Sequence, residues 1–153
     1  MSIKEKISSL GLSLPTAAAP VAAYVPAVKS GNLVFTAGQL SVVDGKLLKE
    51  GKVGSDVSAE DAKELAQICA LNALAAISLV ADLDQIKRVV RVGGFVNCAP
   101  GFTAIPGVIN GASEFLIKIF GDVNGKHART AVGVAELPLN APVEVEVIVQ
   151  LKN

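Results

Sequence analysis

Apolar residues near the N-terminus fall at Ile3, Ile7 and Leu10, the spacing of one helix face, and Gly11 follows as a stop. Pro15, Pro20 and Pro26 then recur too densely for a helix and suit extended chain at a sheet edge. The run 32–40 (NLVFTAGQL) is rich in β-formers and is followed by the turn pair Asp44-Gly45. Polar, Gly-containing residues 46–56 predict a loop with a short strand. Ser58 is placed to cap a helix, with Glu60 and Asp61 in its first turn, and the Ala-rich stretch to about Ala81 predicts the clearest helix of the chain. Residues 86–98 read as a strand, with Gly93-Gly94 marking a bulge or bend. After a Pro/Gly loop, a second long helix runs from Pro106 to about Phe120, with Gly121 as its stop. Asn124-Gly125 predicts a turn, and 130–135 and 143–151 predict two final strands.

This order predicts an α+β fold with two long helices on one face of a sheet. The last strand alternates strictly over Val143-Glu144-Val145-Glu146-Val147. Its valines belong on the helix side. Glu144 and Glu146 belong on the opposite face, where solvent or another subunit waits. The length of 153 residues predicts one domain, with a short helical extension at about 2–11.

Composition narrows the function. Fourteen Lys+Arg balance fourteen Asp+Glu, hydrophobic residues make up 51% and charged residues 18%. High hydrophobicity at zero net charge excludes a disordered chain. It also argues against a nucleic-acid partner, because phosphate contacts demand a basic surface. So few charges leave little to cover a monomer, which predicts a buried interface in a homo-oligomer. Cys69 and Cys98 form neither a CxxC pair nor a cluster with His127, so neither a disulfide framework nor a metal site is expected. The first residues lack the apolar core of a signal peptide, and the longest apolar stretch is too polar to span a membrane. These readings predict a cytoplasmic protein with no membrane partner.

The chemistry-bearing segment is 127–138, HARTAVGVAELP. Arg129 enters an apolar strand, where its planar fork serves either a solvated ion pair or a bidentate carboxylate ligand. His127, the single histidine, is either a proton donor near neutral pH or a turn or positioning residue.

The run HARTAVGVAELPLNAPVEVEVIVQ resembles the C-terminal signature of the RidA/YjgF family, also labelled the endoribonuclease L-PSP family. PVAAYVPAVKSGNLVFTAGQL is similar to that family's first hairpin, and Asn110 with Glu114 and Phe115 resembles its Asn-containing helix. The resemblance implies a chorismate-mutase-like α+β fold, a homotrimer and a ligand cleft between neighbouring subunits. It implies hydrolysis of small 2-imino or enamine acids to 2-keto acids and ammonia, with no metal or organic cofactor. By position, Arg129 would grip the substrate carboxylate and Glu144 would position or activate water. Tyr24, Ala37, Asn110 and Ala131 would line the substrate site. The chain departs from the family pattern in its N-terminal helix, a longer loop before Ser58, and an inserted loop at 98–106 whose Phe102 is placed to reshape or cap the cleft. The same fold without turnover would make a small-carboxylate or keto-acid binding protein. The ribonuclease label fits poorly with zero net charge.

Overall fold

The computed structural model describes residues 1–17, 19 and 22–153. The extended reading at Pro20 lies outside them. The chain opens with α1 (Ile3–Ser9), capped by a reciprocal box in which Ser2 and Glu5 satisfy each other's backbone N–H. Short strands β1 (Ala27–Ser30), β2 (Leu33–Thr36) and β3 (Gln39–Leu40) follow, then a hairpin of β4 (Val42–Val43) and β5 (Lys46–Leu47) turning at Asp44-Gly45. Helix α2 (Ala59–Ile77) leads to β6 (Ile86–Asn97), α3 (Ile105–Gly125), β7 (Ala128–Val134) and β8 (Val143–Leu151).

The main sheet is six-stranded, in the order β1-β2-β8-β6-β7, with β3 extending β2 along β8. It is mixed: β6 and β7 run parallel, and the other pairs are antiparallel. Both long helices cover one face, α2 chiefly over β8 and α3 over β6. The α+β architecture expected from the element order is therefore the one observed.

The alternation of β8 is realised as read. Val143, Val145, Val147, Val149 and Leu151 are buried beneath the helices, where they meet Cys69, Leu74, Ile109, Phe115 and Leu116. Each such side chain contributes roughly 1.5–3 kcal/mol on leaving water. The helices themselves pack at close range. A β-carbon on Gly111 of α3 would lie 1.8 Å from the Lys63 carbonyl oxygen of α2.

Four local expectations are corrected. The 32–40 run is not one strand: its pairing with β8 shifts by one residue between Phe35↔Ile148 and Gln39↔Val145. The Thr36 hydroxyl accepts from the Val147 N–H at 2.9 Å and fills the gap in the ladder. The Gly93-Gly94 pair is not a bulge, because its register against β8 is unbroken and the irregularities of β6 fall nearer its start, between Ile86 and Arg91. The glycines instead make room, Gly93 for Glu146 on one face and Gly94 for Ile109 on the other. The α2 helix stops at Ile77, short of Ala81, and Leu79 is exposed. In α3, Gly121 does break the helix (φ 81°), but one more helical turn follows to Gly125 where a turn at Asn124-Gly125 was expected.

The sheet face away from the helices carries Val28, Phe35 and Val132 at 51%, 40% and 39% exposure, an apolar surface that the described residues leave partly uncovered. No helix is long and apolar enough to cross a membrane among the described residues.

Candidate functional site

Two clusters of the expected residues form, on opposite faces of the sheet. Arg129 pairs with Val92 in the parallel ladder, and Val92 also pairs with the buried Val147. Cross-strand partners share a face, so Arg129 points to the helix side. There its Nη1 donates to Asn110 Oδ1 at 2.8 Å and to Ser113 Oγ at 3.2 Å, both on α3 one turn apart, and its Nη2 donates to the Pro106 carbonyl at 3.4 Å. A guanidinium has five N–H donors. Nη1 is saturated, while Nε–H and the second hydrogen of Nη2 have no partner among the described residues. That edge is the fork a carboxylate accepts.

His127 sits behind this arrangement, half-buried. Its Nε2 lies 3.0 Å from Ser113 Oγ, and its Nδ1 lies 2.6 Å from the Gly125 carbonyl. Burial lowers its pKa and the Arg129 charge adds to this, against the pull of the Gly125 carbonyl, so the neutral ring is favoured. Ala131 lies two positions along β7 on the same face as Arg129, paired with Gly94.

Glu144 pairs with Phe95, three positions from Val92 with no register shift between, and so faces the other side. Its Oε1 lies where a Gly38 side chain would begin, 1.9 Å from the site of a β-carbon. Burial raises the Glu144 pKa, and the neighbouring Glu146 charge raises it further. Gly38 also lines a cavity of about 330 Å³ with Tyr24, Gln39 and Leu139. Ala37, next to Gly38, donates its backbone N–H to the Pro26 carbonyl at 2.8 Å. Gly38 thus stands between Glu144 and the cavity that Tyr24 lines, while Asn110, His127, Arg129 and Ala131 lie on the helix side.

Phe102 turns inward, half-buried with its ring against Gly54, so the 98–106 loop is pinned to the 48–57 loop. The loop touches the Arg129 cluster through the Pro106 carbonyl. Burial pushes the Cys98 thiol above its usual range despite nearby Lys52, and Cys69 is buried in the core. Among the described residues no three of His, Cys, Asp and Glu converge as metal ligands.

This sheet, its two helices and its paired motifs match a known family over almost the whole chain. Residues 4–151 fit the family described as "YjgF/chorismate_mutase-like, putative endoribonuclease". The chain belongs to the YjgF/RidA family. It is 40% identical to Protein TCP17 of Trypanosoma cruzi, covering 99% of this chain and 95% of that protein. It is 32% identical to the 2-iminobutanoate/2-iminopropanoate deaminase of Dermatophagoides farinae, covering 92% of this chain and 95% of that one. The solved structure of Atu1372 from Agrobacterium tumefaciens, described as of unknown function, aligns with a TM-score of 0.88 at 42% identity, covering 98% of this chain and 92% of that one. The YjgF family thus includes a named imine deaminase and a protein of Shewanella oneidensis described as a "putative endoribonuclease".

Two residues of this YjgF-family site escaped the sequence reading. Ser113 lies three positions after Asn110, so helical periodicity alone puts both on one face of α3. Gly38 shows its role only through Glu144, a contact that bridges about a hundred positions of chain.

Proposed function

We propose that this protein hydrolyses small reactive 2-imino acids to 2-keto acids, in clefts completed by a second copy of the chain within a homotrimer. The observation that carries this reading is the Arg129 guanidinium, held by three oxygen acceptors with one edge left for a carboxylate. The 32% identity to a named 2-imino acid deaminase supports the substrate class.

The reaction needs little from the protein. The C=N carbon of an iminium is already electrophilic. Water adds to it, the carbinolamine transfers a proton to nitrogen, ammonia leaves, and a keto group remains. Only water is consumed. Arg129 fixes the substrate by its carboxylate and removes the entropy of the encounter. Glu144, with its pKa raised by burial and by the Glu146 charge, is suited to take a proton from the attacking water.

Because Arg129 and Glu144 point to opposite faces, they act on one substrate only if a neighbour supplies one of them. The uncovered apolar sheet face around Val28, Phe35 and Val132 is suited to such a neighbour. Zero net charge speaks against an RNA substrate. Cys69 and Cys98 are both free thiols, which fits the reducing cytoplasm.

The test supplies imino acid continuously from an amino-acid oxidase or dehydratase and follows keto acid and ammonia. Faster release with the wild type, and none above background with Arg129→Ala, supports the deaminase. Binding of a 2-keto acid without any acceleration makes the protein a carboxylate-binding module instead. Cleavage of RNA under the same conditions overturns both readings.

A further inference from the structure

We propose that Ser113 and His127 form a positioning relay for Arg129, holding the guanidinium at the angle a carboxylate requires without either residue touching the reacting atoms. The proposal rests on the reading of Arg129 as the carboxylate grip.

With the imidazole neutral, the donors and acceptors leave a single assignment. Arginine only donates, so Ser113 Oγ accepts from Nη1 at 3.2 Å. A hydroxyl that has accepted has one proton to give, and the acceptor within reach is His127 Nε2 at 3.0 Å. Nε2 accepts only when the ring proton sits on Nδ1. Nδ1 in turn faces the Gly125 carbonyl at 2.6 Å, which only accepts. Donation therefore runs from Arg129 to Ser113 to His127 to Gly125. The tautomer follows from this network.

The end of the relay is anchored by the backbone. Gly121 breaks α3, and the extra turn folds back so closely that a β-carbon on Gly125 would lie 2.6 Å from the Ile117 Cα. Gly125 is buried, and its carbonyl is thereby fixed against α3. Burial of the imidazole and the nearby Arg129 charge favour the neutral ring that the relay requires. Both imidazole nitrogens are engaged before any ligand arrives. That makes His127 a support of the guanidinium and not a proton donor to substrate.

The test combines binding, kinetics and nuclear magnetic resonance on the full-length protein. The probe for binding is 2-oxobutanoate, measured by calorimetry. Ser113→Ala should weaken it about tenfold, the cost of one hydrogen bond to a charged group. The same variant should raise KM for imino acid by a similar factor and lower kcat far less, and Ser113→Thr should restore binding. His127→Ala should also weaken binding, but add nothing in the Ser113→Ala background, because both act through one contact. In nitrogen-15 spectra of the wild type, Nδ1 should carry the ring proton, and the Arg129 Nε–H resonance should move in both variants. The relay is overturned if Nε2 carries the proton, if the two substitutions add, or if His127→Ala lowers kcat with KM unchanged. A wild type that neither binds 2-oxobutanoate nor hydrolyses imino acid overturns the proposed function, while the tautomer and the Arg129 resonance still judge the relay.

Discussion

Arg129 and Glu144 stand on opposite faces of one sheet, separated by the intervening strand β6. Val92 fixes the side of Arg129 and Phe95 the side of Glu144, and the odd interval between them sets the two apart. A cleft that uses both residues has to draw them from two chains.

This makes complementation the sharpest test. Arg129→Ala and Glu144→Gln should each be inactive alone. Co-expressed in equal amounts and purified together by two tags, they should recover about a third of the wild-type rate, because every mixed trimer has one interface of its three that receives an intact residue from each side. Mixed assemblies with no recovered activity would show that the two residues do not share a site across an interface.

Gly38 controls where the Glu144 carboxylate rests. Alanine there places a carbon 1.9 Å from Oε1, and the flexible carboxylate must swing away. Imine hydrolysis by Gly38→Ala should fall on the order of 100-fold, the effect of displacing a catalytic group by about an ångström. The fold should survive, with a circular dichroism spectrum like the wild type's. An unchanged rate would remove Glu144 from the reaction.

Glu144 also makes stability depend on pH. Burial first, and the Glu146 charge second, raise its folded-state pKa above the ordinary 4.5. The fold therefore holds that proton more tightly than the unfolded chain does. This stability is fully present below 4.5 and is lost as pH rises through the folded-state value. Glu144→Gln does not titrate, so its urea midpoint should gain on the wild type's as pH rises from 4.5 to neutral. A constant offset at every pH would contradict the shift.

The α2–α3 contact gives a paired test of packing. Alanine normally stabilises a helix relative to glycine by about 1 kcal/mol. At Gly107, where a β-carbon meets nothing within 4 Å, Gly107→Ala should show much of that gain. At Gly111 the new carbon meets the Lys63 carbonyl at 1.8 Å, and Gly111→Ala should cost about 1–3 kcal/mol or more. Urea unfolding of both variants checks the difference in sign.

Element types were legible in the sequence wherever a local rule sufficed. The strict alternation of β8 and the Ser58 cap of α2 are local patterns, and each is realised as read. Glycine misled the reading because it has two uses. Gly93-Gly94 suggested a bulge by composition, yet these residues make room for Glu146 and Ile109, whose positions depend on other elements. The bulge lies instead beside Gly38, between β2 and β3.

The candidate residues followed the same division. Arg129, Asn110 and Glu144 stood out because their motifs are contiguous and the residue types suit the chemistry. The sequence by itself determined the α+β order of elements, the inward valines of β8 and the outward side of Glu144, all matters of period within one segment. Only the tertiary structure decided that β7 runs parallel beside β6, which turns Arg129 toward α3 and away from Glu144. It also decided that Ser113 and His127 stand behind the guanidinium. Strand register and helix docking are set by packing between distant segments, and periodicity along one segment carries no information about which face of another it will meet.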